Sequence, residues 1–215
     1  MHGKSVPLPK LALAVLLTGV VASAGAAVVR ESEALFVHAA PAGANTFTTD
    51  ACFSGNTGLR SPTAEAADTG GDGNGFEVSP TNAFADGGGY ADNIDGGDDR
   101  HRYYNYGVSV SSGCAIKGIE VRLDAWKATG GSDAALSVEL SWDGGTSWTT
   151  PQATSDLGTT EATFTLGGAT DTWGRTWSAG ELSNANFRVR ITSVSTDAGQ
   201  DFELDWAPVT VYYGP

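Results

Sequence analysis

Two histidines, His38 and His101, two cysteines, Cys52 and Cys114, and a surplus of carboxylates are what this chain offers for chemistry beyond its first residues. No serine, histidine and aspartate stand at a spacing that suggests a nucleophilic triad. A reactive thiol is lost if the two cysteines pair, and two cysteines alone cannot supply the four ligands of a structural zinc site. Carboxylates for glycoside hydrolysis are present in number, but number does not pick out a pair. The inventory points to a protein that binds or builds rather than one that catalyses.

Two acidic, glycine-rich stretches could hold a hard cation. Asp68 to Glu77 reads DTGGDGNGFE and Asp92 to Asp99 reads DNIDGGDD. Calcium takes six to eight oxygens from carboxylates, amides and carbonyls, and such loops can provide them. Asp68, Asp72, Asn74, Asp92, Asp95 and Asp98 are the candidate ligands, with calcium as the one cofactor to consider. The spacing does not match the twelve-residue helical calcium loop, so a solvated acidic loop stands as the alternative. Aromatic residues near these loops suggest a second chemistry. Sugar rings lay their C–H faces on exposed aromatic rings. Trp126 falls on the polar side of an alternating segment, and Tyr90 and Tyr103 flank the acidic loops. These three are the candidate sugar-stacking residues. Trp173 and Trp177, in DTWGRTWS, read as buried.

The surroundings of these residues suggest export. Lys4 and Lys10 precede the apolar run Leu11–Val21, and Ala22-Ser23-Ala24 and Ala24-Gly25-Ala26 offer small residues for cleavage. That order is a secretory signal peptide over 1–26. A retained anchor is the rival, since the uncharged stretch between Lys10 and Arg30 is 19 residues long. Its second half is Ala, Gly and Ser, which favours cleavage, and nothing later is apolar enough to span a membrane. Cleavage leaves about 189 residues, a one-domain length. The whole chain carries 12 Lys plus Arg against 25 Asp plus Glu, a formal net charge of −13. Such a chain repels nucleic acid and anionic lipid. In an oxidising compartment a Cys52–Cys114 disulfide is the default, with a pair of buried free thiols as the alternative.

Alternation with period two, not helical periodicity, organises the rest. Ile119, Val121, Leu123 and Ala125 face one way. Leu136, Val138, Leu140 and Trp142 repeat the pattern, as do Phe187, Val189 and Ile191, then Phe202, Leu204 and Trp206. Val209, Val211 and Tyr213 follow Pro208, which suits an edge or a bulge. Tyr104, Tyr106, Val108 and Val110 predict another strand, and Ala162, Phe164 and Leu166 a short one. Ser178–Asn184 holds the one helical hint. One wet and one dry side per strand predicts an all-β fold, an antiparallel β-sandwich of jelly-roll type. The expected organisation is a signal peptide over 1–26, an extended lead over 27–49 and one domain over 50–215. Within that domain 50–102 reads as loop-rich and 103–215 as the regular sheet.

Ser141-Trp142-Asp143-Gly144-Gly145-Thr146-Ser147-Trp148 matches S-x-D-x-G-x-[ST]-W and resembles the Asp-box of sialidases and other propellers. Asp143 can accept backbone N–H groups across the turn, Gly145 permits positive φ, and Trp148 can cover the hairpin. Ser141, Asp143, Gly145 and Trp148 therefore read as a structural hairpin, not a catalytic set. Asp171 to Ser193 (DTWGRTWSAGELSNANFRVRITS) and Phe202 to Tyr213 (FELDWAPVTVYY) resemble a β-sandwich domain of bacterial, archaeal and phage surface proteins. Gly118-Ile119-Glu120-Val121, Asp72-Gly73-Asn74-Gly75 and Asn82-Ala83-Phe84-Ala85 extend that resemblance over most of 68–213. It implies a cell-surface or structural module and transfers no site; the hairpin and Cys114 depart from the pattern. Gly43-Ala44-Asn45-Thr46-Phe47, after the leader, resembles camelysin-type biofilm-matrix fibre proteins, which implies a strand donated to a neighbouring subunit.

Two functions remain in view. The first is an exported, non-catalytic surface or matrix protein whose partner is itself, assembling by strand exchange. The second is an extracellular carbohydrate-binding module with calcium-stabilised loops, whose partner is a glycan.

Overall fold

A computed structural model describes residues 52–130, 133–197 and 199–215. The predicted signal peptide (1–26) and extended lead (27–49) lie outside the described residues.

The described chain forms two antiparallel sheets face to face, a β-sandwich of jelly-roll type. The first sheet contains β1 (Gly55–Asn56), β3 (Ala91–Asn93), β5 (Ala115–Lys127), β8 (Ala162–Gly167), β10 (Phe202–Trp206) and β11 (Val209–Gly214). The second runs in the order β2 (Ala64–Asp68), β4 (Arg100–Tyr104), β9 (Arg188–Ser195), β6 (Ala134–Ser141) and β7 (Gln152–Ala153).

β5 organises the first sheet. One edge pairs with β11 through Val121↔Val209 and then with β10 through Leu204↔Ala125. Its other edge pairs with β8 from Glu120↔Gly167 to Ala125↔Ala162. β10 and β11 are thus one interrupted strand laid along β5. Pro208 sits at the interruption, where a missing N–H breaks no ladder. The helical hint contracts to a short 3-10 turn, Ala179–Leu182, closed by a reciprocal Ser178–Glu181 capping box.

Ile119, Val121, Leu123 and Ala125 point inward from β5 and meet Leu136, Val138 and Leu140 of β6 and Val189 and Ile191 of β9, all buried. Trp173 and Trp177 are buried as expected. The Trp173 indole N–H donates to the Ile119 carbonyl at 2.9 Å, so its one polar atom is satisfied inside.

Two expectations need correction. The stretch 50–102 is not merely loops, since β1 to β3 and the first three of the five residues of β4 fall in it. The strand predicted through Tyr104, Tyr106, Val108 and Val110 stops at Tyr104. Asn105 and Gly107 adopt φ of 61° and 62°, a left-handed backbone no strand can continue through. Tyr106 instead buries its ring and donates its hydroxyl to the Ala207 carbonyl.

His101 of β4 faces the core. Its Nδ1 accepts the Phe76 N–H at 3.1 Å, which leaves the ring proton on Nε2, 2.8 Å from Glu65 Oε2. Burial pushes the imidazole below its ordinary value, while Glu65 pulls the other way and Arg102 adds to the lowering. A depressed histidine contributes stability that is complete above the unfolded value of about 6.5 and is lost as pH falls below it. Glu203, raised to about 7, contributes with the opposite sign over the same range but is common to both proteins, so the wild-type midpoint should fall relative to that of His101→Gln as pH drops below about 6.5. A difference between the two proteins that does not change with pH would contradict this account.

Cys52 and Cys114 are bonded, as expected, at a sequence separation of 62. The bond ties the approach to β1 onto the approach to β5. Closing a loop of that length removes about 4 kcal/mol of unfolded-chain entropy. The double variant C52A/C114A should melt roughly 10 °C below the oxidised wild type; equal midpoints would show that the crosslink constrains nothing.

Candidate functional site

The same alternation that fills the core sets Glu120, Arg122, Asp124 and Trp126 on the outer side of β5. Register then extends the row across strands. Trp126 stands opposite Glu203 of β10, and Glu203 stands opposite Asp92 of β3. Directly opposed residues lie about 5 Å apart, so one aromatic and two carboxylates form a line across three strands.

Tyr90, just before β3, closes over the end of this line. Its ring centroid lies 5.1 Å from that of Trp126, with the planes at 72°. Asn82 Nδ2 fixes the turn by donating to the Tyr90 carbonyl at 3.0 Å. Tyr90 is 42% exposed and Trp126 is half-buried. Two rings near a right angle make a corner, so a sugar ring can lie on one while its edge meets the other.

The carboxylates beside the corner are crowded. Glu203 is raised to about 7, first by burial and then by the charges of Asp92 and Asp201. Asp92 is also raised, by burial and by Asp201. Glu203 Oε2 and Asp92 Oδ1 are buried atoms with no hydrogen-bond partner among the described residues. A buried oxygen left unmatched is costly, and ligand hydroxyls would relieve that cost.

One further group on this sheet has metal-binding character. Asp86, Glu161 and Asp205 bring one carboxylate oxygen each to within 4.8 Å of one another. Burial and the charges of Asp205, Asp124 and Asp86 raise Glu161, against the pull of Arg122.

The structure treats the sequence-derived candidates unequally. Tyr90 and Trp126 are brought together. Tyr103 is not a stacking residue: it is completely buried, tilted against His101 with ring centroids 4.9 Å apart and edge-on to Phe84. Its place in the alternation of β4 turns it to the core, although it neighbours the acidic loops in sequence.

The six expected calcium ligands are not gathered in one place. Asp68 on β2 is taken up by Arg102 and Arg190 at 3.8 and 3.4 Å. Asp72 folds back on Asn74, accepting its backbone and side-chain N–H groups. Asp92 belongs to the other sheet, Asp95 donates its backbone N–H to Asp201, and Asp98 donates its own to the Ser193 carbonyl. Glu203 and Asp205 fall between the residues of the Phe202, Leu204 and Trp206 alternation, so the sequence pattern puts them on its polar side. It could not signal which strand would lie opposite them.

The turn after β6 is held by side-chain acceptors. Asp143 Oδ1 accepts the N–H groups of Thr146 and Ser147 at 3.1 and 2.8 Å, and Ser141 Oγ accepts that of Gly145 at 2.8 Å. These bonds hold the Asp143 carboxyl below its ordinary value, the Ser147 N–H contributing most. Trp148 lies under the Arg190 guanidinium at 4.1 Å.

No known protein family matches the chain, and no curated protein does. Among solved structures, the CBM32 of AlyQ in complex with 4,5-unsaturated mannuronic acid is similar at 11% identity and a TM-score of 0.40, over 70% of this chain and 96% of that one. The CBM35 from Cellvibrio japonicus Abf62 is similar at 12% and 0.39, over 73% and 92%. TmCBM61 in complex with beta-1,4-galactotriose is similar at 11% and 0.33, over 68% and 86%. At such TM-scores and identities these likenesses assign no function to this chain.

If the turn is purely structural, Asp143→Ala should lower the thermal midpoint by about 5 °C, as expected for lost charge-assisted bonds. An unchanged midpoint would show that these bonds do not hold the turn.

Proposed function

We propose that this chain is an exported glycan-binding domain that holds a sugar in the corner between Trp126 and Tyr90. The observation that carries the reading is the 5.1 Å pairing of those rings at the surface, beside the unmatched carboxylate oxygens of Glu203 and Asp92. A sugar needs an apolar face to stack on and directional partners for its hydroxyls, and this corner offers both. Ionised carboxylates accept from hydroxyls through charge-assisted bonds, and Glu203, raised to about 7, can also donate as the neutral acid.

The charge of the site selects among glycans. Asp92, Asp201 and Glu203 cluster beside the rings on a chain of net charge −13. Uronate and sulfate groups would be repelled there, so the ligand is a neutral glycan. Export is supported by the leader pattern at 1–26, and no helix among the described residues is long and apolar enough to cross a membrane. Assembly by strand exchange draws on 27–49. Among the described residues nothing supports it as the aromatic corner supports binding.

Affinity electrophoresis through gels containing xylan, mannan, galactan or mixed-linkage glucan tests this. At least one neutral polymer should retard the wild type. Trp126→Ala should weaken that retardation about ten-fold or more, the scale of a lost stacking anchor. The reading fails if no neutral polymer retards the protein, or if Trp126→Ala is retarded as strongly as the wild type.

A further inference from the structure

We propose that Asp86, Glu161 and Asp205 form a binding site for a divalent cation of the calcium class, separate from the acidic loops that the sequence advertises. The three residues come from distant parts of the chain. Asp86 follows the 3-10 turn Pro80–Ala83, Glu161 immediately precedes β8, and Asp205 lies on β10. Folding alone brings their oxygens to within 4.8 Å of one another. Separations within that bound are compatible with one ion, since oxygens bound to calcium at about 2.4 Å lie at most about 4.8 Å apart across it.

Asp205 makes the cluster more than a patch of surface acid. It is only 3% exposed. Its Oδ2 accepts the Gly87 N–H at 2.8 Å, which fixes the carboxylate, while its buried Oδ1 has no partner among the described residues. A buried carboxylate oxygen without a donor is expensive, and a cation would compensate it.

The nearby guanidinium does not take this role. Arg122 is committed to Asp124, with Nε to Oδ1 at 3.0 Å and Nη2 to Oδ2 at 2.6 Å. It reaches Asp86 Oδ2 only at 3.9 Å. Asp124 has a second donor in the Thr163 hydroxyl at 2.6 Å and is already matched. An all-oxygen donor set selects calcium or magnesium over softer metals. Asp86 and Glu161 are exposed, so water completes the coordination and binding is weak, on the order of 10⁻⁴ to 10⁻³ M.

Thermal melts of the purified oxidised chain, titrated with calcium chloride at constant ionic strength, test the site without any sugar. The wild type should show a saturable rise in midpoint. Terbium should give luminescence on indole excitation, because the Trp206 ring lies beside Arg122 at 4.8 Å, and calcium should quench it by displacement. Glu161→Gln, at an exposed position, should weaken calcium at least ten-fold, and Asp205→Asn should do the same where it folds. Asp72→Asn should bind as the wild type does. The proposal is overturned by an absent or non-saturable shift, by one that sodium chloride reproduces, or by Glu161→Gln binding at wild-type affinity. Loss in Asp72→Asn with retention in Glu161→Gln would also overturn it and move the ion to the loop.

Discussion

Β5 is thirteen residues long and pairs with three other strands, so its register constrains nearly everything else in the first sheet. A strand has only two sides. Once Ile119, Val121, Leu123 and Ala125 are committed to the core, Glu120, Arg122, Asp124 and Trp126 must face out. A slip of one residue would bury Arg122 and Trp126 and expose the aliphatic set, which the core energetics forbid. The hydrophobic requirement on one side therefore fixes the position of the aromatic candidate on the other. The same holds for Glu203 on β10, between buried Phe202 and Leu204; the register then shifts between Leu204 and Trp206, and Asp205 falls in that irregularity.

This coupling explains which parts of the protein were legible in sequence. Strands with a strong apolar alternation, such as β5, β6 and β9, announce themselves, and Trp126 was found through that alternation. β2 reads AEAAD, a poor strand former with no apolar face of its own. It becomes a strand because five rungs with β4 and the Glu65–His101 contact hold it there. Long-range pairing of this kind leaves no local signature. Tyr103 failed for a related reason: its nearness to the acidic loops in sequence said nothing of the side of β4 it would occupy. Glu203, Asp92 and Asp205 were visible as single residues, but their assembly depends on which strands become neighbours.

The two outer faces of the sandwich differ in electrostatic state. On the second sheet most charges are paired, although Arg100 Nε and Arg102 Nε are buried with no hydrogen-bond partner among the described residues. Arg190 joins Glu139 at 2.7 Å and Asp68 at 3.4 Å and covers the Trp148 ring, while Arg188 covers Tyr104 at 4.4 Å. Acid, base and aromatic there largely satisfy one another, and the charged groups left with an unmatched atom are guanidinium donors, not carboxylates. On the first sheet Arg122 is consumed by Asp124, while Asp92, Glu203 and Asp205 each keep a buried oxygen unmatched among the described residues. Folding alone does not require that difference, since a fold can bury matched charge or none. Buried polar groups are normally satisfied, so each unmatched oxygen calls for a partner such as water, an ion or a ligand. The unmatched carboxylate oxygens gather on the first sheet, where the register of β5 and β10 also sets the aromatic corner.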